Sequence, residues 1–205
     1  IGRALVRPDV SVVLLDEPLT AVEPGIKWRL RQTLKKVQDE LGVTMIYVTH
    51  DQTEALTFAE RVSALADGQI LQTGTPEAVY QNPAHQFVGR FLGSPGMNFL
   101  PLRAFPQPLR RSFAEAGDPD TIGFRPESAR LTAPSDDLLS GIVETQRILG
   151  TAQGRVVSMY GLRCGDEQVC VRSALSFECG DEVGIALQHR VGFRQALRVG
   201  SNGAE

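Results

Sequence analysis

Hydrophobic positions change period along the chain, and the change divides it in two. Residues 10–16, VSVVLLD, form a short apolar run that ends on Asp16 and Glu17. A run of this length, rich in valine, predicts a strand buried on both faces of a parallel sheet. Next, Ile26, Leu30, Leu34, Val37 and Leu41 recur at the spacing of a single helical stripe, and Gly42 stands where such a helix stops. VTMIYVTH, residues 43–50, is a second β-rich run. Strand, helix and strand in this order imply a crossover unit, and so parallel pairing. A second helix is expected over 53–66, a turn at Asp67-Gly68, and a short strand over QILQTG, residues 69–74. Residues 75–93 read as helix, break, helix, with Pro83 forcing the break.

After about residue 98 the pattern differs. SPGMNFLPLRAFPQPLRR, residues 94–111, is rich in Pro and Gly and reads as a linker or domain crossing. Beyond it, TIGFRP, LSGIVETQRIL, GRVVSMYG, EQVCVRSA and DEVGIALQ are short β-like runs split by Gly and Asp. Such spacing suits a small all-β barrel or sandwich. Phe124, Tyr160, Phe177 and Phe193 are expected in its core, and Arg190, Arg194 and Arg198 on a solvated edge. The tail VGSNGAE is expected to fray. The expected domains are therefore 1–97, α/β, and 98–205, all-β with its linker.

Composition narrows the chemistry. The net charge is −3, so a broad nucleic-acid footprint is not expected. The three cysteines form no C-x-x-C pair, and His50, His85 and His189 lie far apart, so neither a disulfide framework nor a zinc site is expected. Reduced thiols suit a cytoplasmic protein. Ile1 is no natural start, so a missing targeting segment carries little weight.

The remaining candidates are Asp16, Glu17 and His50. Asp16 stands at the C-terminal end of a predicted parallel strand, where open α/β sheets bind ligands. A carboxylate there can hold Mg²⁺ through water. Glu17 is placed to accept a proton from a water attacking a γ-phosphate. His50 ends the next strand and reaches the same edge if the two strands are close. Taken singly, the carboxylates also fit a plain turn and His50 a structural histidine.

Four segments carry a family resemblance. LLDEPLTAVEP, residues 14–24, resembles the Walker B motif and D-loop of ABC-transporter ATPases, and YVTHDQTEALTFAERV, residues 47–62, resembles their H-loop. DGQILQTGTPEAVYQNPAHQFVGRFLGSPGMNF, residues 67–99, and IGFRPESARL, residues 122–131, resemble the end of the ATPase domain and the start of the C-terminal β domain in bacterial carbohydrate importers. The finer likeness is to glycerol and glycerol-3-phosphate importers. The resemblance implies a partial P-loop ATPase domain followed by an oligonucleotide/oligosaccharide-binding-like β domain of the transport-associated type. It implies ATP and Mg²⁺ as cofactors, with Asp16 near the metal, Glu17 as base and His50 as the switch histidine. Thr20, Ala21, Val22 and Glu23 would form the D-loop against a second ATPase subunit, a homodimer or heterodimer mate. Glu23 departs from the Asp usual there. The further partners implied are membrane permease subunits and, indirectly, a solute-binding protein, but no nucleic acid. The implied location is the cytoplasmic face of the plasma membrane.

The motif G-x-x-x-x-G-K-[ST] does not occur: Lys27, Lys35 and Lys36 are the only lysines, and none follows a glycine. No LSGGQ-type signature occurs either. In the family, that signature precedes a segment like IGRALVRPD, residues 1–9. The expectation is a C-terminal part of an importer ATPase, inactive alone. Two alternatives stay open: a non-catalytic regulatory or dimerisation fragment, and a non-transport ABC protein acting on ribosomes or DNA. The acidic balance and the importer-type β tail count against the latter.

Overall fold

The computed structural model describes residues 10–115 and 117–202. Residues 1–9, expected to follow the signature, lie outside them. The chain forms two compact units, one through Val62 and one from Ser63. Together they make a mixed α/β fold of several sheets, mostly strands.

In the first unit, β1 (Val12–Asp16) and β2 (Thr44–Val48) pair in parallel, with Asp16 opposite Val48. The crossover is α1 (Pro24–Leu41), which begins with Pro24, a residue tolerated in a helix's first turn. It ends at Gly42, whose left-handed φ of 62° lets its amide bond to Gln38 O. Val13, Leu15 and Leu34 are buried, with Met45, Tyr47 and Phe58 packed around them. The expected burial of β1 on both faces is corrected here. Val12, Leu14, Ile46 and Val48 form an open outer face, with Leu14 72% exposed, because helices cover only one side of this strand pair.

The helix expected over 53–66 is also corrected. It spans only α2 (Gln52–Phe58), and β3 (Val62–Ala66) follows. β3 joins β4 (Gln69–Gly74) through Asp67 and Gly68, both at positive φ, the geometry of a tight hairpin turn. The helix–break–helix is present as α3 (Pro76–Gln81) and α4 (Gln86–Phe91). His85 caps α4, its Nδ1 accepting from Phe87 N at 3.0 Å.

The segment read as a linker is ordered. β5 (Asn98–Pro101) pairs with β6 (Thr121–Phe124), and α5 (Gln107–Ala114) lies between them in sequence. Pro101 is admitted because β5 is a sheet edge, where a ladder N–H is dispensable. The remaining strands are β7 (Ala129–Thr132), β8 (Leu139–Ala152), β9 (Arg155–Cys164), β10 (Glu167–Ser173), β11 (Glu182–Leu187), β12 (Arg190–Arg194) and β13 (Leu197–Asn202). One sheet runs β10-β9-β8-β11-β7 and the other β13-β12-β6-β5. Asn98 ties β5 to β10: its amide exchanges two hydrogen bonds of 2.8 Å with the Cys170 backbone. Part of the tail expected to fray, Val199–Asn202, is strand, paired with β12. Residues 203–205 lie outside the described residues.

Phe124, Tyr160 and Phe193 are buried, and Phe177 packs edge-on to Tyr160, so all four belong to the core. The solvated edge expected for Arg190, Arg194 and Arg198 is corrected in part: β12, with Arg190 and Arg194, is an inner strand, and only β13, with Arg198, is an edge. Arg190 is half-buried over the Phe113 ring, while Arg194 binds Asp118. Burial pushes the Cys164 thiol up to about 11, which leaves it unreactive. Among the described residues no helix is long and apolar enough to cross a membrane.

Candidate functional site

The parallel register places the ends of β1 and β2 side by side, and the backbone extends that match by one step. Glu17 N donates to Val48 O at 2.9 Å. Glu17 then turns out of the strand at a left-handed φ of 43°, uncommon for a residue with a side chain and costly unless its surroundings hold it. Here the bond to Val48 and the one from Thr20 N to Glu17 O, 3.2 Å, hold it on both sides.

The turn aims the Glu17 carboxylate at His50. Oε1 lies 2.8 Å from His50 Nδ1, and Oε2 accepts from Thr20 Oγ1 at 3.1 Å. The sequence-predicted pair is thus brought together. The hydrogen bond from His50, then that from Thr20, hold the Glu17 carboxyl below the usual range despite slight desolvation. The group is therefore an anion at neutral pH and can only accept. It follows that His50 Nδ1 carries a hydrogen. Both side chains remain open to solvent, His50 at 66% and Glu17 at 45% exposure, so a ligand can reach them. Asp16, the last residue of β1, is exposed on the face that carries Leu14.

Thr20, Ala21 and Glu23 are exposed and Val22 is half-buried, while Leu19 beside them anchors the turn in the core. Thr20 is also bound within this chain, to Glu17. Glu23 stands at the N-cap of α1 but makes no side-chain capping bond. Replacing Thr20 with Val removes one of the two donors to Glu17. The Glu17 carboxyl is then expected to titrate at higher pH, checked by its carboxyl carbon signal against pH. The sign is fixed: stability lent by a depressed carboxyl is present above its unfolded value and lost as pH falls through the folded one. In Thr20→Val that loss begins at higher pH.

Sequence reasoning missed the polar cluster behind His50. Asp51 caps α2, its Oδ1 accepting from Thr53 N at 2.9 Å and Glu54 N at 3.2 Å. Burial pushes the Asp51 carboxyl up, but these amides and the Lys27 ammonium outweigh it and leave it lowered. Glu54 is only 3% exposed. Its Oε2 accepts from Tyr47 OH and Thr49 Oγ1, both at 2.9 Å. Its Oε1 faces Lys27 Nζ at 3.4 Å and Arg31 Nη1 at 3.7 Å. The signal was available: Asp51 and Glu54 have the N-cap and third-residue spacing of a capping box.

Asp16 is a single exposed carboxylate next to Glu17, a donor set that would suit a hydrated Mg²⁺ held mainly by phosphate oxygens better than a metal caged by protein ligands. Among the described residues no cluster of three or more His, Cys, Asp or Glu could hold a metal ion.

No protein-family model matches the chain. Curated relatives do. The chain is 38% identical over 198 residues to the sn-glycerol-3-phosphate import ATP-binding protein UgpC of Vibrio vulnificus (strain CMCP6), covering 90% of this chain and 52% of the relative. To the protein of that name in Vibrio cholerae it is 44% identical over 139 residues, 63% of this chain and 37% of the relative. To the trehalose/maltose import ATP-binding protein MalK of Thermococcus litoralis it is 37% identical over 174 residues, 74% and 46% of the two chains. The chain spans about half the length of the first of these relatives.

Proposed function

A homologue of the ATP-binding subunits of carbohydrate-class importers, this chain is, we propose, the part of such a subunit that carries the water-activating half of an ATP site. The observation that supports this best is the 2.8 Å contact between Glu17 and His50 at the end of a parallel strand pair. In this reading Asp16 holds Mg²⁺ through water, next to the γ-phosphate. Glu17 accepts the proton of the attacking water, and His50 fixes the water or the γ-phosphate. Lowered as it is, the Glu17 carboxyl is a weak base while His50 and Thr20 both donate to it. Proton uptake therefore goes with release of one of those bonds when nucleotide and partner arrive.

The exposed loop Thr20–Glu23 meets a second ATPase subunit. Permease subunits in the membrane pass the force of ATP-driven closure to the solute path. The solute is a sugar, a polyol or glycerol-3-phosphate, and the subunit sits on the cytoplasmic face of the membrane as a peripheral protein. The β domain is its regulatory part.

The 205 residues contain no phosphate-cradling loop. Their own turnover is therefore expected to be negligible, measured as phosphate release with Mg²⁺ and ATP. Magnesium-dependent release by this polypeptide, abolished in Glu17→Gln, would refute the claim that it is inactive alone. Sequencing the coding DNA in frame ahead of Ile1 tests the other half. A G-x-x-x-x-G-K-[ST] loop and an LSGGQ-like signature are expected, and a stop codon directly upstream would shift the reading to a non-catalytic domain.

A further inference from the structure

Glu54 is a buried carboxylate that capping does not require. In a capping box, a glutamate at this place reaches back to the N-cap amide. Here the amide of Asp51 donates to Thr49 Oγ1 instead, at 3.0 Å, and Glu54 turns inward. Its Oε1 receives no hydrogen bond from any described residue, although two cations stand near it. Stability alone does not account for this choice, because a well-packed apolar residue often serves as well as a buried ion pair.

Where its donors lie is more telling. Tyr47 lies in β2 and Thr49 directly follows its end, and both hydroxyls reach Glu54 on the inner face. Ile46, Val48 and His50 project to the outer one. Burial follows this alternation, with Tyr47 and Thr49 half-buried and Val48 and His50 exposed. Glu54 Oε2 thus grips the inner face on each side of Val48, just before His50. The residue after His50, Asp51, is fixed in turn by Thr49 Oγ1, by the first amides of α2, and by Lys27 at 3.4 Å. His50 is thus bracketed by fixed neighbours on both sides, and its Nδ1 lies 2.8 Å from Glu17 Oε1.

We propose that Glu54 is the positioning residue for His50: through Tyr47 and Thr49 it fixes the strand end so that the His50 ring stays on the Glu17 carboxylate. The catalytic side of this rests on the reading of Glu17 and His50 given above, but the positioning does not. Lys27 lies in the first turn of α1, directly after the loop Thr20–Glu23. The same carboxylate therefore also ties the start of that helix to the histidine loop.

The test separates the two claims. His50 ring signals are followed by nitrogen-resolved NMR in the full 205-residue chain, with Glu17→Gln as the probe. That change is expected to displace the His50 Nδ1 signal. In Thr49→Val, which can neither donate to Glu54 nor accept from Asp51, the displacement should fall by at least about half, the mark of coupled sites. Thr49→Ser should restore it, and Glu54→Gln should weaken it. Unchanged backbone amide signals of β1 and β2, in the same unit as the substitutions, report that each variant is folded. Full displacement in both Thr49→Val and Glu54→Gln, or none in the parent chain, would overturn the proposal. In the whole ATPase, Thr49→Val should lower kcat at least about threefold with KM for ATP unchanged, as a misplaced catalytic group does. If His50 moves yet kcat holds, the positioning stands and the catalytic role of His50 falls.

Discussion

Glu17→Gln in the whole ATPase proposed here should cut turnover by about a hundredfold to ten-thousandfold, the range for loss of a positioned general base. The substitution preserves shape. The amide has one acceptor oxygen and one donor group, so it matches only one of the two donors, Thr20 Oγ1 and His50 Nδ1, that now serve Glu17. Removing a base used only in the transition state lowers kcat and leaves nucleotide binding intact. ATP affinity, read by displacement of a fluorescent analogue, should therefore change little. ATP that binds but is not hydrolysed should hold the two subunits closed, seen as a lasting dimer in gel filtration with Mg²⁺ and ATP. Turnover within about twofold of the parent would reject Glu17 as base, because no general base contributes so little. It would leave Glu17 as a strand-end residue whose φ of 43° has only a structural purpose.

That Asp16, Glu17 and His50 gather at one edge was legible in the sequence on the condition that the two strands are neighbours, while the direct Glu17–His50 contact was not. Two runs joined by one helical stripe run parallel, and their direct pairing sets both C-terminal ends on one edge. The lengths of VVLLD and TMIYV then make Asp16 face Val48. What period alone could not give was the fate of VSALA. Its alanines suggested a continuing helix, yet Val62 and Ala64 are buried while Ser63 and Leu65 are exposed, the alternation of a strand. The Asp67-Gly68 turn between two short runs of similar length was the stronger signal. Proline misled at residues 94–111, since Pro101 marks an edge strand and not a linker. Glu54 was hidden for another reason. Exposed capping glutamates and buried ones look alike in sequence, and only the packing of Tyr47, Thr49 and Lys27 around this one tells them apart.

The largest effect on stability is expected at Arg125, a fully buried cation that makes no ion pair with any described residue. Its role follows from helix ends. The last carbonyls of α3 and α4 have no partner within their own helices. Arg125 supplies one: Nε and Nη2 donate to Tyr80 O at 3.1 and 2.7 Å, and Nη1 donates to Gly89 O at 3.0 Å and to Leu92 O. The guanidinium also lies 3.8 Å over the Tyr80 ring, whose hydroxyl donates to Glu127 Oε1 at 2.8 Å. Burial, then the nearby Glu127, pushes that phenol up to about 12, so it stays a donor across the physiological range. His189 Nε2 donates to the carbonyl of Gln81 beside it, at 3.1 Å. Arg125→Met fills most of the volume but orphans the Tyr80 and Leu92 carbonyls, each costing about 1–3 kcal/mol if buried, while Gly89 O keeps its bond from Met97 N at 2.9 Å. Relief from burying a charge offsets part of this. A net loss of about 2 kcal/mol is expected, lowering Tm by roughly 4–8 °C for a protein of this size. Arg125→Lys should recover less than half of the loss, because an ammonium cannot fork to carbonyls on two helices at once. Trp28, the only tryptophan, lies in the other unit, so the change is best read from tyrosine near-ultraviolet dichroism of the full chain. If Arg125→Met melts within about 2 °C of the parent, desolvation of the guanidinium cancels its four hydrogen bonds, and the two short helices are held to the β strands by their apolar contacts alone.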